Sequence, residues 1–284
     1  MSLYPGIPPK FDFQYDNWGT NPSATLGTSV TPGASNAEGS WTAIVTAANV
    51  TADVCGVQLF IGSGSTTGAQ KDHLLDLGVD PAGGTSYTAI ISDIVCGQAG
   101  ATNGGGHYFF FPISIKSGSQ IAVRIQGNNA TAGTVRVSIK LYGRASSGIV
   151  LPCGTFSETV GAITGSGGVS FTPGNAADGA WTSIGTTTKP LWWWQLGVQC
   201  SNGTISAQYT LVELAWGDST NKQTIMKTVM SFPGTTEICN TTPNKLSPYE
   251  AYCPIPAGAT LYVRGRSNIA PATGFNAVAI GIGG

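Results

Sequence analysis

A single pattern of residues is written twice in this chain, and the repeat limits what it can fold into. Residues 29–33 (SVTPG) and 38–42 (EGSWT) return about 140 residues later as 170–174 (SFTPG) and 178–182 (DGAWT). A second echo closes each half, 118–124 (GSQIAVR) answered by 258–264 (GATLYVR). A period this long is a domain duplication rather than a solenoid, and each half is large enough to bury its own core. The expected division is an N-terminal arm over 1–26, a first domain over 27–145 and a second over 146–284.

Within each half the apolar residues alternate over short segments separated by Gly, Ser, Thr and Pro. The clearest strand covers 134–142, where Val135, Val137, Ile139 and Leu141 alternate with Arg136, Ser138 and Lys140. Further strands are expected at 41–46, 54–61, 73–79, 87–94, 107–113 and 121–125. In the second half they are expected at 191–200, 205–216, 223–231, 260–265 and 275–282. Residues 56–59 (GVQL) align with 197–200 (GVQC), which would keep the duplicated strand in register. No segment of ordinary helix length carries an apolar stripe. The fold class expected is all-β: two tandem, similar antiparallel β-sandwiches, jelly-roll-like, with an extended N-terminal arm. The polar loops at 97–106 and 235–248 are the expected places for exposed function.

Charged residues make up only 10% of the chain, and the formal net charge is −1. The first 145 residues carry seven basic and eight acidic side chains, the remainder six and six. Neither half has the clustered Lys and Arg that phosphate neutralisation requires, so direct nucleic-acid binding is not expected. The first residues lack a basic region followed by an apolar run, and no apolar stretch is long enough for a membrane-spanning helix, so neither a signal peptide nor membrane insertion is expected.

Cys55, Cys96, Cys153, Cys200, Cys239 and Cys253 show no CxxC spacing, so neither a zinc site nor any other cofactor is expected. Two states stay open for them: disulfides joining Cys55 to Cys96 and Cys239 to Cys253, or buried thiols. The two histidines, His73 and His107, sit in strand-like surroundings, and no GxSxG elbow is present. Asp76 aligns with Glu213 and Asp80 with Asp218 when small gaps are allowed. Carboxylates at matching places in different domains are too far apart to act as the acid and base of a glycosidase, which need to lie within about 10 Å of each other. No catalytic residue is assigned, and the chain is not expected to be an enzyme.

The candidate contact residues are aromatic. Tyr4, Phe11, Phe13, Tyr15 and Trp18 are spaced among prolines in the arm, where they pack either on their own domain or on a neighbouring subunit. Trp192, Trp193 and Trp194 are consecutive. In a regular strand Trp193 faces away from Trp192 and Trp194, so one side enters the core and the other meets solvent, the partner domain or another subunit. Exposed Trp faces would also suit a sugar.

Residues 109–127 (FFFPISIKSGSQIAVRIQG) with 135–143 (VRVSIKLYG), and the diverged copy at 251–267, resemble segments of β-rich structural proteins of tailed bacteriophages. The resemblance implies a virion component: a decoration, collar, spike or tail-associated protein assembled in the host cytoplasm. Its partners would be other virion proteins and further copies of itself, with docking through the aromatic arm and the domain faces. The alternative is a carbohydrate-binding adhesion spike whose partner is a glycan of the host surface.

Overall fold

A computed structural model describes residues 14–17, 27–63, 73–96, 107–127, 133–143, 153–163, 167–200, 208–232, 250–269 and 275–284. The first half contains β1 (Gln14–Asn17), β2 (Thr28–Val30), β3 (Thr42–Val45), β4 (Val54–Ser63), β5 (His73–Asp80), β6 (Thr88–Val95), β7 (His107–Phe111), β8 (Gln120–Gly127) and β9 (Val135–Gly143). A 3-10 turn, Ala47–Asn49, separates β3 from β4. The second half contains β10 (Phe156–Val160), β11 (Val169–Phe171), β12 (Gly174–Asn175), β13 (Thr182–Thr186), β14 (Leu191–Cys200), β15 (Gln208–Gly217), β16 (Lys222–Phe232), β17 (Glu250–Ile255), β18 (Thr260–Ser267) and β19 (Phe275–Gly283).

The first half pairs its strands in the order β1-β9-β4-β7, with β2 also on β9, against a second sheet β3-β8-β5-β6. The second half repeats this as β10-β19-β14-β17, with β11 on β19, against β12-β18-β15-β16, with β13 on β18. This is the jelly-roll order written twice. The two halves are therefore tandem antiparallel sandwiches, as the repeat and the alternation led one to expect. Each core lies between its two sheets. Val57, Leu59 and Ile61 of β4 meet Leu75, Leu77, Ile121 and Val123 in the first; Trp194, Leu196 and Val198 of β14 meet Val212, Leu214, Leu261 and Val263 in the second.

Strand pairing corrects the alignment of β4 with β14. Val57 lies opposite Leu141 and Val198 opposite Ala277, while Val135 and Phe275 begin equivalent strands, each paired with the end of β2 or β11. The counterpart of Val57 is therefore Trp194, four residues from the Val198 suggested by the shared GVQ. The error is even, so every residue still falls on its expected face. The counterpart of Phe60 becomes Gly197.

The twice-written motif builds a loop that folds onto β8 or β18. Asn36 and Ala176 occupy the same left-handed position, with φ of 58° and 52°. Their amides donate to Gly127 O at 2.7 Å and to Ser267 O at 2.8 Å, and the amides of Gly39 and Gly179 donate to Ile125 O and Gly265 O at 2.8 Å. The loop thereby delivers a carboxylate and a tryptophan to one arginine. Arg124 lies 4.5 Å from the Trp41 ring centre and pairs with Glu38 and, at 2.8 Å, Asp76; Arg264 lies 4.3 Å from Trp181 and pairs with Asp178 at 3.0 Å and Glu213 at 2.7 Å. Asp76 and Glu213 are thus equivalent, as aligned. Asp80 and Asp218 both cap turns, Asp80 accepting from the amides of Ala82 and Ser86 and Asp218 from those of Thr220 and Asn221. In the paired register Gly217 is the counterpart of Asp80, so Asp218 sits one residue further on.

The two sandwiches meet along one seam. β6 and β7 are the edge strands on one side of the first sandwich, and the outer face of the β10-β19-β14-β17 sheet covers that side. Trp193, Ile280 and Ile282 belong to the first sandwich's apolar cluster, and Trp193 meets Phe111 edge-on at 5.6 Å. Ser157 and Thr159 of β10 donate to the carbonyls of Ile90 and Ser92 at 2.6 and 2.7 Å, which satisfies an otherwise unpaired strand edge. Gly197 permits the close approach, because a Cβ there would lie 2.7 Å from that of Val95.

Candidate functional site

The face that the second sandwich uses for the seam has an exposed equivalent on the first. Along β4, Val57, Leu59 and Ile61 are buried, so Gln58 and Phe60 point outward. Phe109 and Phe111 of β7 are likewise in the core, which turns Tyr108 and Phe110 outward; Lys140 and Tyr142 of β9 do the same. The register sets Phe60 beside Tyr108 and Gln58 between Phe110 and Lys140. The outcome is a shallow platform of Phe60, Tyr108, Phe110 and Tyr142, with polar groups between the rings.

Tyr108 is 49% exposed, and Phe60, Phe110 and Tyr142 are half-buried. Phe110 lies down across Gly56, where a Cβ would come within 2.9 Å of its ring, and meets Tyr142 at 6.1 Å with planes 67° apart. The Tyr142 hydroxyl donates to Gln58 Oε1 at 2.6 Å. Burial, with smaller contributions from Tyr108 and Asp16, pushes this phenol up to about 12, so it remains a donor at neutral pH. Lys140 Nζ lies 5.5 Å from the Tyr142 ring centre and 3.6 Å from Asp16. The platform therefore offers apolar π-faces, fixed hydrogen-bonding groups and one balanced ion pair.

Sequence reasoning passed over this platform. Phe60, Tyr108 and Phe110 sit in runs (QLFIG, YFFF) where core and surface positions are both aromatic or apolar, so alternation gives no contrast between the faces. The residues singled out instead have other placements. Trp194 is buried in the second core, its Nε1 donating to Cys253 O at 2.9 Å. Trp193 faces the first sandwich. Trp192 joins Trp193 and not Trp194, because the pairing shifts between Leu191 and Trp193 and breaks the alternation. Half-buried, Trp192 lies 5.6 Å from Tyr252, which is 65% exposed; the pair is a second, smaller aromatic surface.

In the segment expected as an arm, β1 is a strand of the first sandwich, at the place β10 holds in the second. Tyr15 packs on the first core, and its hydroxyl accepts from Asn49 Nδ2 at 3.1 Å. Tyr4, Phe11, Phe13 and Trp18 lie outside the described residues, as do the loops 97–106 and 235–248. Cys55, Cys96, Cys153 and Cys253 are thiols, so Cys55 and Cys96 are not bonded to each other; Cys239 lies outside the described residues.

The carboxylates that would interest an enzymologist are held by arginines. Asp76 accepts from Arg124 Nε at 2.9 Å and from the Asp93 amide at 2.9 Å, and Glu213 accepts from Arg264 Nε at 2.8 Å and from the Thr224 hydroxyl. Among the described residues, no group of three or more His, Cys, Asp or Glu side chains is arranged to hold a metal ion.

No family model matches the chain, and no curated protein matches it. Solved structures resemble it remotely. PNGF-II shares 10% identity at a TM-score of 0.38; the match covers 90% of this chain, which spans only 63% of the length of that one. PNGase F, a glycosylasparaginase from Flavobacterium meningosepticum, shares 12% identity at 0.34, with 96% of both chains covered. The tandem CBM22 domains of Paenibacillus barcinonensis Xyn10C share 12% identity at 0.27, covering 85% of this chain and 82% of that one. At these scores the likeness carries nothing about activity or ligand.

Proposed function

We propose that the chain is a non-catalytic carbohydrate-binding protein whose first sandwich presents the Phe60–Tyr108–Phe110–Tyr142 platform to a glycan. One observation supports this reading above the rest: among the described residues the same sheet face is covered by the first sandwich in the second copy, but in the first copy it carries four aromatic rings, of which Tyr108 is 49% exposed. A contiguous group of aromatic rings reaching the surface, rimmed by polar side chains, is the kind of patch that marks a binding site. The C–H faces of a pyranose carry weakly positive hydrogens that sit well on a negative π-face, while ring hydroxyls need fixed donors and acceptors such as Gln58 and Tyr142. A flat open sheet suits a polymer or a surface better than an enclosed small molecule. Docking to a phage particle through the aromatic arm rests on the sequence resemblance alone.

A glycan array with the full chain tests the proposal. Binding to at least one neutral glycan is expected with a dissociation constant of about 1 mM or tighter, weakened at least tenfold in Tyr142→Ala, with the melting profile of the second sandwich unchanged. Retention of all binding in a Phe60→Ala, Tyr108→Ala, Tyr142→Ala triple variant would remove the platform from consideration.

A further inference from the structure

We propose that Asp93 and Gln195 form a proton-operated latch between the two sandwiches. Asp93 lies on β6 at an irregularity in the pairing: Leu75 faces Ile94 and Leu77 faces Ile91, leaving Ser92 and Asp93 against Asp76 alone. Its backbone is held at φ 61°, a left-handed conformation that Asp and Asn tolerate better than most residues. From there it lines two crevices. One, within the first sandwich, also holds Glu38, Asp76 and Arg124; the other, in the seam, holds Val95, Phe109, Gln195, Gly197, Val278 and Ile280. The seam crevice is too tight for a water molecule.

Gln195 comes to that crevice from β14. It is 4% exposed, and among the described residues its Oε1 accepts no hydrogen bond. A buried amide oxygen without a donor is costly, and the dry crevice admits no water to supply one. A protonated Asp93 carboxyl supplies that donor; an ionised one supplies only acceptors.

The surroundings favour the protonated form. Burial first, then the charges of Asp76 and Glu38, push Asp93 up to about 6, against the smaller opposing pull of Arg124. Among the described residues, the other strands packed on β6 bring no lysine or arginine. Glu158 of β10 is turned to the amides of Thr188 and Lys189, His73 of β5 shares the core face of Leu75 and Leu77, and β19 contributes Val278 and Ile280. The equivalent place in the second sandwich is filled by Lys227, which pairs with Glu213 at 3.3 Å and is 51% exposed along its side chain. The acid therefore belongs to the edge that the other sandwich covers, and the base to an edge that no described strand of the other sandwich covers.

The sign follows from linkage. A carboxyl whose folded value is raised binds its proton more tightly in the closed state, so closure is favoured at acidic pH and weakened as pH rises through about 6. One proton changes the seam-opening equilibrium by up to about tenfold per pH unit between 4 and 6. Amide hydrogen exchange of the full chain, corrected for intrinsic rates, reads this on β6 and β14 at pH 5 and pH 7.5. The expected result is slower exchange at pH 5 in the natural chain. Asp93→Asn, which keeps a donor and tolerates the backbone, should be slow at both values, and Gln195→Met, close in volume but without the orphaned oxygen, should exchange at the same rate at both. A pH response that survives Asp93→Asn would overturn the latch. So would one that survives Gln195→Met, which would confine the effect to the carboxylates of the first sandwich.

Discussion

The two sandwiches share a strand order and a loop motif, yet they treat equivalent surfaces in opposite ways. The outer face of the β1-β9-β4-β7 sheet carries Phe60, Lys140 and Tyr142 where the second sandwich has Gly197, Ile280 and Ile282. The arginine clamps differ as well. Among the described residues Arg124 alone faces Glu38, Asp76 and Asp93, whereas Arg264, Arg266 and Lys227 face Asp178 and Glu213. A duplicated scaffold thus keeps what closes each core and lets faces and edges diverge, one copy becoming the support of the other.

The largest effect should come from the clamps. Arg124→Leu leaves three carboxylates without a cation and should cost about 3–5 kcal/mol, while Arg264→Leu, with Lys227 and Arg266 still present, should cost about half as much. Chemical denaturation of the two variants at pH 7.5 compares them; equal losses would mean the neighbouring charges do not matter. Next in size is Gly197→Phe, which installs the first sandwich's residue at the seam. It should cost about 1–3 kcal/mol by overpacking and separate the two halves, visible as a larger radius of gyration in solution scattering. The reciprocal Phe60→Gly should cost only about 1 kcal/mol, mostly backbone entropy, while removing glycan binding.

Acid response is the smallest and sharpest contrast. Burial alone would raise Glu213, but hydrogen bonds from Thr224 and Arg264 hold it below its ordinary value; Arg266 and Arg264 hold Asp178 low. For carboxylates held low, the stability is present above the unfolded value, 4.5 for Glu213 and 3.8 for Asp178, and is lost as pH falls through the folded one. Acidification from pH 7.5 to 5 should therefore favour the seam and the first sandwich, and further acidification toward pH 3 should melt the second sandwich preferentially. Domain-resolved hydrogen exchange across that range checks both slopes.

Much of the architecture was readable from residues alone. The alternation in β9 and the repeated loop fixed the fold class, and Asp76 and Glu213 proved equivalent because each must meet an arginine at a conserved distance from the repeat. Short pieces such as β2, β11 and β12 escaped notice, since two or three residues cannot show a period. The bulge at Trp192 escaped because it depends on the partner strand rather than on local sequence. The platform escaped for a different reason: a strand with apolar residues on both faces looks like a buried one, and only the sheet's neighbours decide which face is wet.

The seam also has a consequence for the order of events during synthesis. Ile280 and Ile282, which complete the first apolar cluster, lie on β19, the last of the described strands to be made. Until then the flank of the N-terminal sandwich at β6 and β7 lacks its Ile280 and Ile282 contacts, and β14, which carries Trp193, lacks its pairing partner β19. A nascent chain must therefore hold a half-sealed domain through the making of the second one, and the final strand locks both at once. Shortening the chain by even that strand should make the N-terminal half adhesive, although none of its own residues would have changed.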